Sequence, residues 1–194
     1  MIFLVRWLVI AGWATWLYFY WRGGSLIITD IVSALKTPQT RLDASLLITM
    51  TLSTFTVMVA SLLVGLRIIG IDPALGGLSF TGAILAWSGI AGTVYSRRCL
   101  GRNWAAETKM YEDHQLVVSG PYRVVRHPIY LFAIIMYIGL ALAFPVWWGA
   151  LAVLVINVAY VLKTKDEDAY LIGHLPGYQK YAQRVAHRLL PWIW

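Results

Sequence analysis

Five apolar stretches, each near the length a helix needs to cross a bilayer, leave this chain few ways to fold. They run from Ile2 to Trp21, Ser45 to Ile71, Leu78 to Tyr95, Ile129 to Phe144 and Val146 to Leu162. A hydrocarbon core about 30 Å thick takes ~20 apolar residues, and a backbone with no water beside it must close its hydrogen bonds within each segment. Helices are the result. Only 13% of the 194 residues are charged, about half the share of a soluble domain.

The first stretch runs into Tyr18, Tyr20, Trp21 and Arg22, an interfacial belt where a cleaved leader would carry small residues, so it reads as a span. Gly23 to Asp43 reads as a loop, with room for a short surface helix over Leu26 to Leu35. The Thr and Ser residues of the second stretch can bond within the helix, and Arg67 can snorkel to the interface. Asp72-Pro73 and Gly76-Gly77 mark a turn. In the third stretch, Gly82, Gly89 and Gly92 either let another helix approach closely or simply tolerate burial. Taken as one helix, the 34 residues from 129 to 162 would reach about 51 Å at about 1.5 Å each, too long even for a tilted span. Pro145 divides them, and a hairpin of two short helices turning at Phe144-Pro145 is expected. In the tail, Tyr178, Tyr181, Val185 and Leu189 recur every three or four residues, as in an amphipathic helix lying in the interface with Trp192 and Trp194 as anchors.

The expected fold is therefore all-α: a polytopic membrane protein of about five transmembrane helices, including a short C-terminal helical hairpin, with a cytoplasmic interfacial tail. One membrane domain covers residues 1–194, with the N-terminal spans in 1–95 and the chemistry in 96–194. With the N-terminus outside and the C-terminus cytoplasmic, 14 of the 16 Lys and Arg residues lie inside, leaving Arg6 and Arg67 outside. The net charge of +7 then belongs with anionic membrane lipids, and no nucleic acid partner is expected. Cys99 is the single cysteine and the four His lack HxxxH pairing, so neither a disulfide nor a metal site is indicated.

Two polar clusters interrupt the apolar pattern. The first is HQLVVSGPYRVVRHPIY, His114 to Tyr130. Gly120-Pro121 marks a turn, Tyr122, Arg123, Arg126 and His127 bring hydrogen-bonding groups, and Pro128 stands at a favoured first helical position. An anionic group could dock at that helix start beside Arg126 and His127, with Ile129 and Tyr130 as backbone donors. Alternatively, those two side chains contact lipid phosphates. The second cluster, Lys163 to Asp168, reads from composition as a solvated charge run closing a span.

In order, HQLVVSGPY, RHPIY, KTKDEDAYL (Lys163 to Leu171), GYQKY (Gly177 to Tyr181) and RLLP (Arg188 to Pro191) resemble the isoprenylcysteine carboxyl methyltransferase family, with a hairpin between the second and third. Those multi-span enzymes methylate lipophilic acceptors with S-adenosylmethionine. The resemblance covers roughly Leu100 to Pro191 and implies that His114, Gln115, Leu116, Val117, Tyr122, His127, Pro128, Ile129, Tyr130 and Glu167 hold the cofactor. Glu107 falls where the family often has a cofactor-contacting Gln, and Asp168 shortens the second acid of its acidic pair. Lys163 stands where the prenylcysteine enzymes carry an Arg that addresses the substrate carboxylate. An Arg fork grips a carboxylate by two parallel bonds and Lys offers a point charge, so Lys163 reads equally as a substrate-binding residue and as a snorkelling one. Lys163, Arg126 and Glu167 are thus the candidate catalytic residues.

An activated methyl needs alignment and exclusion of water more than it needs a strong base, which suits a site with no triad and no metal. The resemblance implies carboxyl O-methylation of a prenylcysteine-like substrate. S- or N-methylation of a small lipophilic thiol or a phospholipid amine is the alternative acceptor chemistry. Two other classes are a sterol-reductase-like membrane reductase using a nicotinamide cofactor, for which no Gly-rich fingerprint appears, and a non-catalytic membrane scaffold.

Overall fold

Hydroxyl side chains inside an apolar helix need an acceptor, and in the computed structural model they find it one turn back. Thr49, Thr51, Thr54 and Thr56 donate to the carbonyls of Ser45, Leu47, Met50 and Leu52 at 2.7–2.9 Å. The structure describes residues 7, 10–15, 17, 18, 32, 35, 43–70, 75–104 and 115–191. Its helices are α1 (Asp43–Gly65), α2 (Gly76–Leu100), α3 (Pro128–Ala143), α4 (Trp147–His174) and α5 (Tyr178–Arg184), with single 3-10 turns at Gly101–Asn103 and Gly120–Arg123. Among the described residues there is no strand. The expected span Ile2 to Trp21 lies mostly outside the described residues, though its described positions are helical and Trp13 joins the core. The surface helix over Leu26 to Leu35, the Asp72-Pro73 turn, Trp192 and Trp194 also lie outside them, apart from Val32 and Leu35, which are helical.

The helices α1, α2 and α4 are long and apolar enough to cross a membrane, and α3 is a shorter apolar helix of 16 residues. Their outward faces carry Leu52, Phe55, Phe80, Ile84, Leu151 and Leu154, all exposed. Such a continuous greasy surface is stable only against lipid. Inward, Val64, Met136, Tyr137 and Ile156 are almost wholly buried in one core, and Thr54 meets the Tyr137 hydroxyl at 2.7 Å, joining α1 to α3.

The α2–α3 pair packs backbone to backbone. A Cβ at Gly89 would stand 2.6 Å from the Phe132 carbonyl oxygen, and one at Gly139 2.6 Å from that of Gly82. Of the two readings of these small residues, close approach is the one the structure shows.

Two expectations are corrected. The second arm of the hairpin is not short: α4 has 28 residues, about 42 Å, so ~12 Å projects beyond a 30 Å hydrocarbon core. The Lys163 to Asp168 run therefore sits within a helix, and Lys163, Thr164 and Asp168 are buried. The tail helix α5 is only seven residues long, and Tyr178, Tyr181 and Leu189 are buried in protein, not laid against lipid. Their period was a protein-facing period.

Candidate functional site

The end of α2, the start of α3, the projecting end of α4 and the tail meet at one side of the bundle, and Asp168 ties three of them. Arg126 forks onto it, Nε to Oδ1 at 3.0 Å and Nη2 to Oδ2 at 2.6 Å. His127 Nε2 lies 3.1 Å from Oδ1, the Tyr178 hydroxyl donates to Oδ1 at 2.7 Å, and Arg188 Nε donates to Oδ2 at 2.8 Å. A buried carboxylate is tolerated only when its charge and lone pairs are met this fully.

Arg126 also fixes the tail. Its Nη1 donates to the carbonyls of Val185 at 2.6 Å, Ala186 at 2.9 Å and Ala182 at 3.4 Å, while the backbone N–H groups of Arg126 and His127 each donate at 3.0 Å, to the carbonyls of His187 and Arg188. Burial works against this guanidinium, but its bond to Asp168 raises the pKa above the ordinary Arg value.

Beside this knot lies a cleft enclosing about 780 Å³ of space, part of it open to solvent. Its walls come from four separate stretches: Leu100 to Trp104, Gln115 to Tyr130, Glu167 to Leu175, and Tyr178 with Tyr181. Gly120 lets the second stretch turn, at φ 58°, close against Cys99 and Tyr95. The Tyr122 hydroxyl then reaches the Ser96 carbonyl at 3.3 Å, and Tyr181 donates to the Tyr122 carbonyl at 2.8 Å. The Gln115 N–H donates to Asn103 Oδ1 at 3.1 Å, and Arg97 lies 3.6 Å over the Trp104 ring. Burial, before any charge effect, pushes the phenols of Tyr122, Tyr178 and Tyr181 well above their ordinary value.

Glu167 brings the cleft its accessible charge. Its side chain is 26% exposed, and Oε2 accepts from the Tyr130 hydroxyl at 2.7 Å. His127 stacks parallel to Tyr130 at 5.8 Å between ring centres, with Nδ1 3.9 Å from Glu167 Oε2. A carboxylate among aromatic faces is an environment for a cation.

Of the sequence-expected residues, the structure gathers Gln115, Leu116, Val117, Tyr122, Arg126, His127, Ile129, Tyr130 and Glu167 around the cleft. Pro128 is buried behind it as the first residue of α3. Glu107 and His114 lie outside the described residues. Lys163 is not brought in: its ammonium bonds Asp43 at the start of α1, and both side chains are 1% exposed. Buried in this way it does not snorkel, and it is not among the residues that line the cleft. The expected anion seat beside Arg126 also changes, because Arg126 is taken up by Asp168 and the tail, and the Tyr130 N–H already donates to the His127 carbonyl at 3.1 Å.

Trp104, Leu171, Leu175, Tyr178 and Tyr181 line the cleft without having been singled out as site residues. Leu171 and Leu175 follow Glu167 at steps of four, so their shared helix face was a readable signal. The two tyrosines stood in the GYQKY motif, but their spacing alone does not say which surface they meet.

A family model described as Phospholipid methyltransferase matches residues 78–175, just over half of the 194-residue chain. A curated relative, the Cobalt-zinc-cadmium resistance protein CzcN of Cupriavidus metallidurans, is 31% identical over 91 residues, which is 44% of this chain and 41% of that protein. The matched region thus spans less than half the length of that relative. Among the described residues, no group of three or more His, Cys, Asp or Glu could hold a metal ion.

Proposed function

Since the chain belongs to the phospholipid methyltransferase family, a family of membrane methyltransferases, we propose that it moves a methyl group from S-adenosylmethionine to a lipophilic acceptor at the cytoplasmic membrane surface. The observation that carries this is the cleft. Residues more than 60 positions apart in sequence, Gln115 and Tyr178 among them, close around one space beside the lipid-facing helices. Glu167, aimed by Tyr130, would meet the cofactor's positive charge, and the rings of Tyr122, Tyr178 and Trp104 would hold its purine. When bound, the cofactor supplies a methyl already activated by a sulfonium. The chain's part is to orient it, keep water out with Leu116, Leu171 and Leu175, and leave the lipid side open to the acceptor.

The motif order favours a prenylcysteine-like carboxylate as acceptor. One observation favours an amine or a thiol instead: Lys163, which stands where a carboxylate-reading cation would, is bonded to Asp43, and the described basic side chains lining the cleft, Arg126 and His127, are both on Asp168.

Calorimetry on detergent-purified protein with S-adenosylmethionine and its demethylated product tests the donor. Saturable binding of both, with no response to reduced nicotinamide cofactors, is expected. Absence of binding by folded protein would sink the reading. Matched carboxylate, amine and thiol lipids then decide the acceptor.

A further inference from the structure

The three contacts of the His127 ring, with Asp168, Glu167 and Tyr130, restrict which of its nitrogens can accept a proton. Nε2 lies 3.1 Å from Asp168 Oδ1. Asp168 is met by Arg126 and Arg188 and by the Tyr178 hydroxyl, a set of donors that requires an ionised carboxylate, and an ionised carboxylate only accepts. Nε2 therefore carries hydrogen whether the ring is neutral or charged. Nδ1, 3.9 Å from Glu167 Oε2 and beyond hydrogen-bond reach of it, is left as the nitrogen with the free lone pair in the neutral ring. Turning the ring over would break the Nε2 bond and set a ring C–H against the Asp168 carboxylate.

We infer that Asp168 is a positioning residue that holds His127 as the Nε2–H tautomer and so makes Nδ1 the proton-accepting atom of the cleft. The assignment stands on geometry, and only its bearing on the acceptor rests on the methyl-transfer reading. A primary or secondary amine or a thiol must give up a proton as its electron pair forms the new bond to the methyl carbon and the carbon–sulfur bond of the sulfonium breaks, its electrons leaving with a neutral thioether; His127 Nδ1, with Glu167 beside it, receives that proton. A carboxylate acceptor has no proton to release and makes no use of the dyad. The charged and titratable groups around the ring are Asp168 and Glu167 from α4, Tyr130 from α3, Tyr178 from α5, and Arg126 and Arg188 through Asp168.

Nitrogen-15 NMR of the full chain, labelled at histidine, tests this, with His127→Gln assigning the signal. The wild-type protein should show a pyrrole-type Nε2 and, in the neutral ring, a pyridine-type Nδ1. A pyrrole-type Nδ1 in the neutral ring would overturn the assignment. Asp168→Asn, whose amide can donate as well as accept, should replace the single tautomer by a mixture; an unchanged pattern in folded protein would remove Asp168 from the role. Arg188→Gln takes away a different donor to the same carboxylate and should leave the tautomer as it is, whereas a switch there would also count against it. If Asp168→Asn does not fold, the wild-type and Arg188→Gln spectra still decide. None of these readings requires a methyl to move, so failure of the assignment and failure of the methyl-transfer proposal are distinguishable.

Discussion

Replacing Lys163 by Met separates a substrate-reading lysine from a fold-holding one. Lys163 and Asp43 lie 120 residues apart, and their pair joins the start of α1 to α4 with both side chains almost fully buried. Met keeps the length and apolar stem of the lysine but deprives the Asp43 carboxylate of its ammonium. Breaking one side of a buried pair costs about 3–5 kcal/mol, because the remaining charge stays desolvated. Against a total stability of about 5–15 kcal/mol this is a large fraction. Asp43→Asn should cost a similar amount by leaving the cation, and the double variant should recover most of the loss, with a coupling of ~2 kcal/mol or more. Reversible unfolding in mixed detergent micelles, followed by helical circular dichroism, measures all three. A Lys163→Met protein that unfolds like the wild type, yet shows a raised Michaelis constant for its acceptor, would refute the structural role and return Lys163 to the substrate.

Gly89→Ala should destabilise by roughly 1–3 kcal/mol, since the new methyl meets the Phe132 carbonyl and Met136 backbone of α3, which cannot move aside; an unaltered melting temperature would contradict that packing. Glu167→Gln should weaken S-adenosylmethionine binding about tenfold or more, the worth of a charge-assisted bond, with little loss of fold. His127→Ala should cost both, because the imidazole is buried on Asp168, and titration calorimetry beside thermal melts separates the two patterns. At alkaline pH, the raised phenols of Tyr122, Tyr178 and Tyr181 stay protonated in the folded chain while the unfolded chain releases them near pH 10. The unfolded state then binds fewer protons, and stability should fall above about pH 10 by ~1.4 kcal/mol per pH unit for each tyrosine; flat stability there, with phenolate absorbance already developed in folded protein, would refute it. In a Cys99→Ser background, single cysteines at Thr108 and Gln183 should label from the cytoplasm and one at Arg67 from the opposite side, and labelling of the first two from different sides would contradict the orientation.

Much of the cleft was legible because polar residues among apolar spans have few places to go. Pro128 as the first residue of α3 was read from its missing N–H and fixed φ, and Tyr122, His127, Tyr130 and Glu167 do face one space. What stayed hidden depends on contacts between distant residues. The sequence pattern of Lys163 to Asp168 is that of a solvated run, and only the arrival of Arg126 and Arg188, 42 and 20 residues away, makes Asp168 an interior residue. The partner of Lys163 lies in a different span, beyond any local period. Tyr178 and Tyr181 show the converse. Their helical spacing was visible, but lipid and protein surfaces demand the same spacing, and the bond from Tyr181 to the Tyr122 carbonyl decides between them.

The bonds from Arg126 to the carbonyls of residues 182, 185 and 186 also order events in time. A ribosome delivers the chain from its first residue onward, so the spans can insert and pair while the last wall of the cleft is still being made. Until Arg188 emerges, Asp168 and Arg126 have each other but not the strap that closes over them. Cofactor capture should therefore wait for the tail: chains truncated after about residue 176 and released should be inserted in the membrane yet fail to retain S-adenosylmethionine.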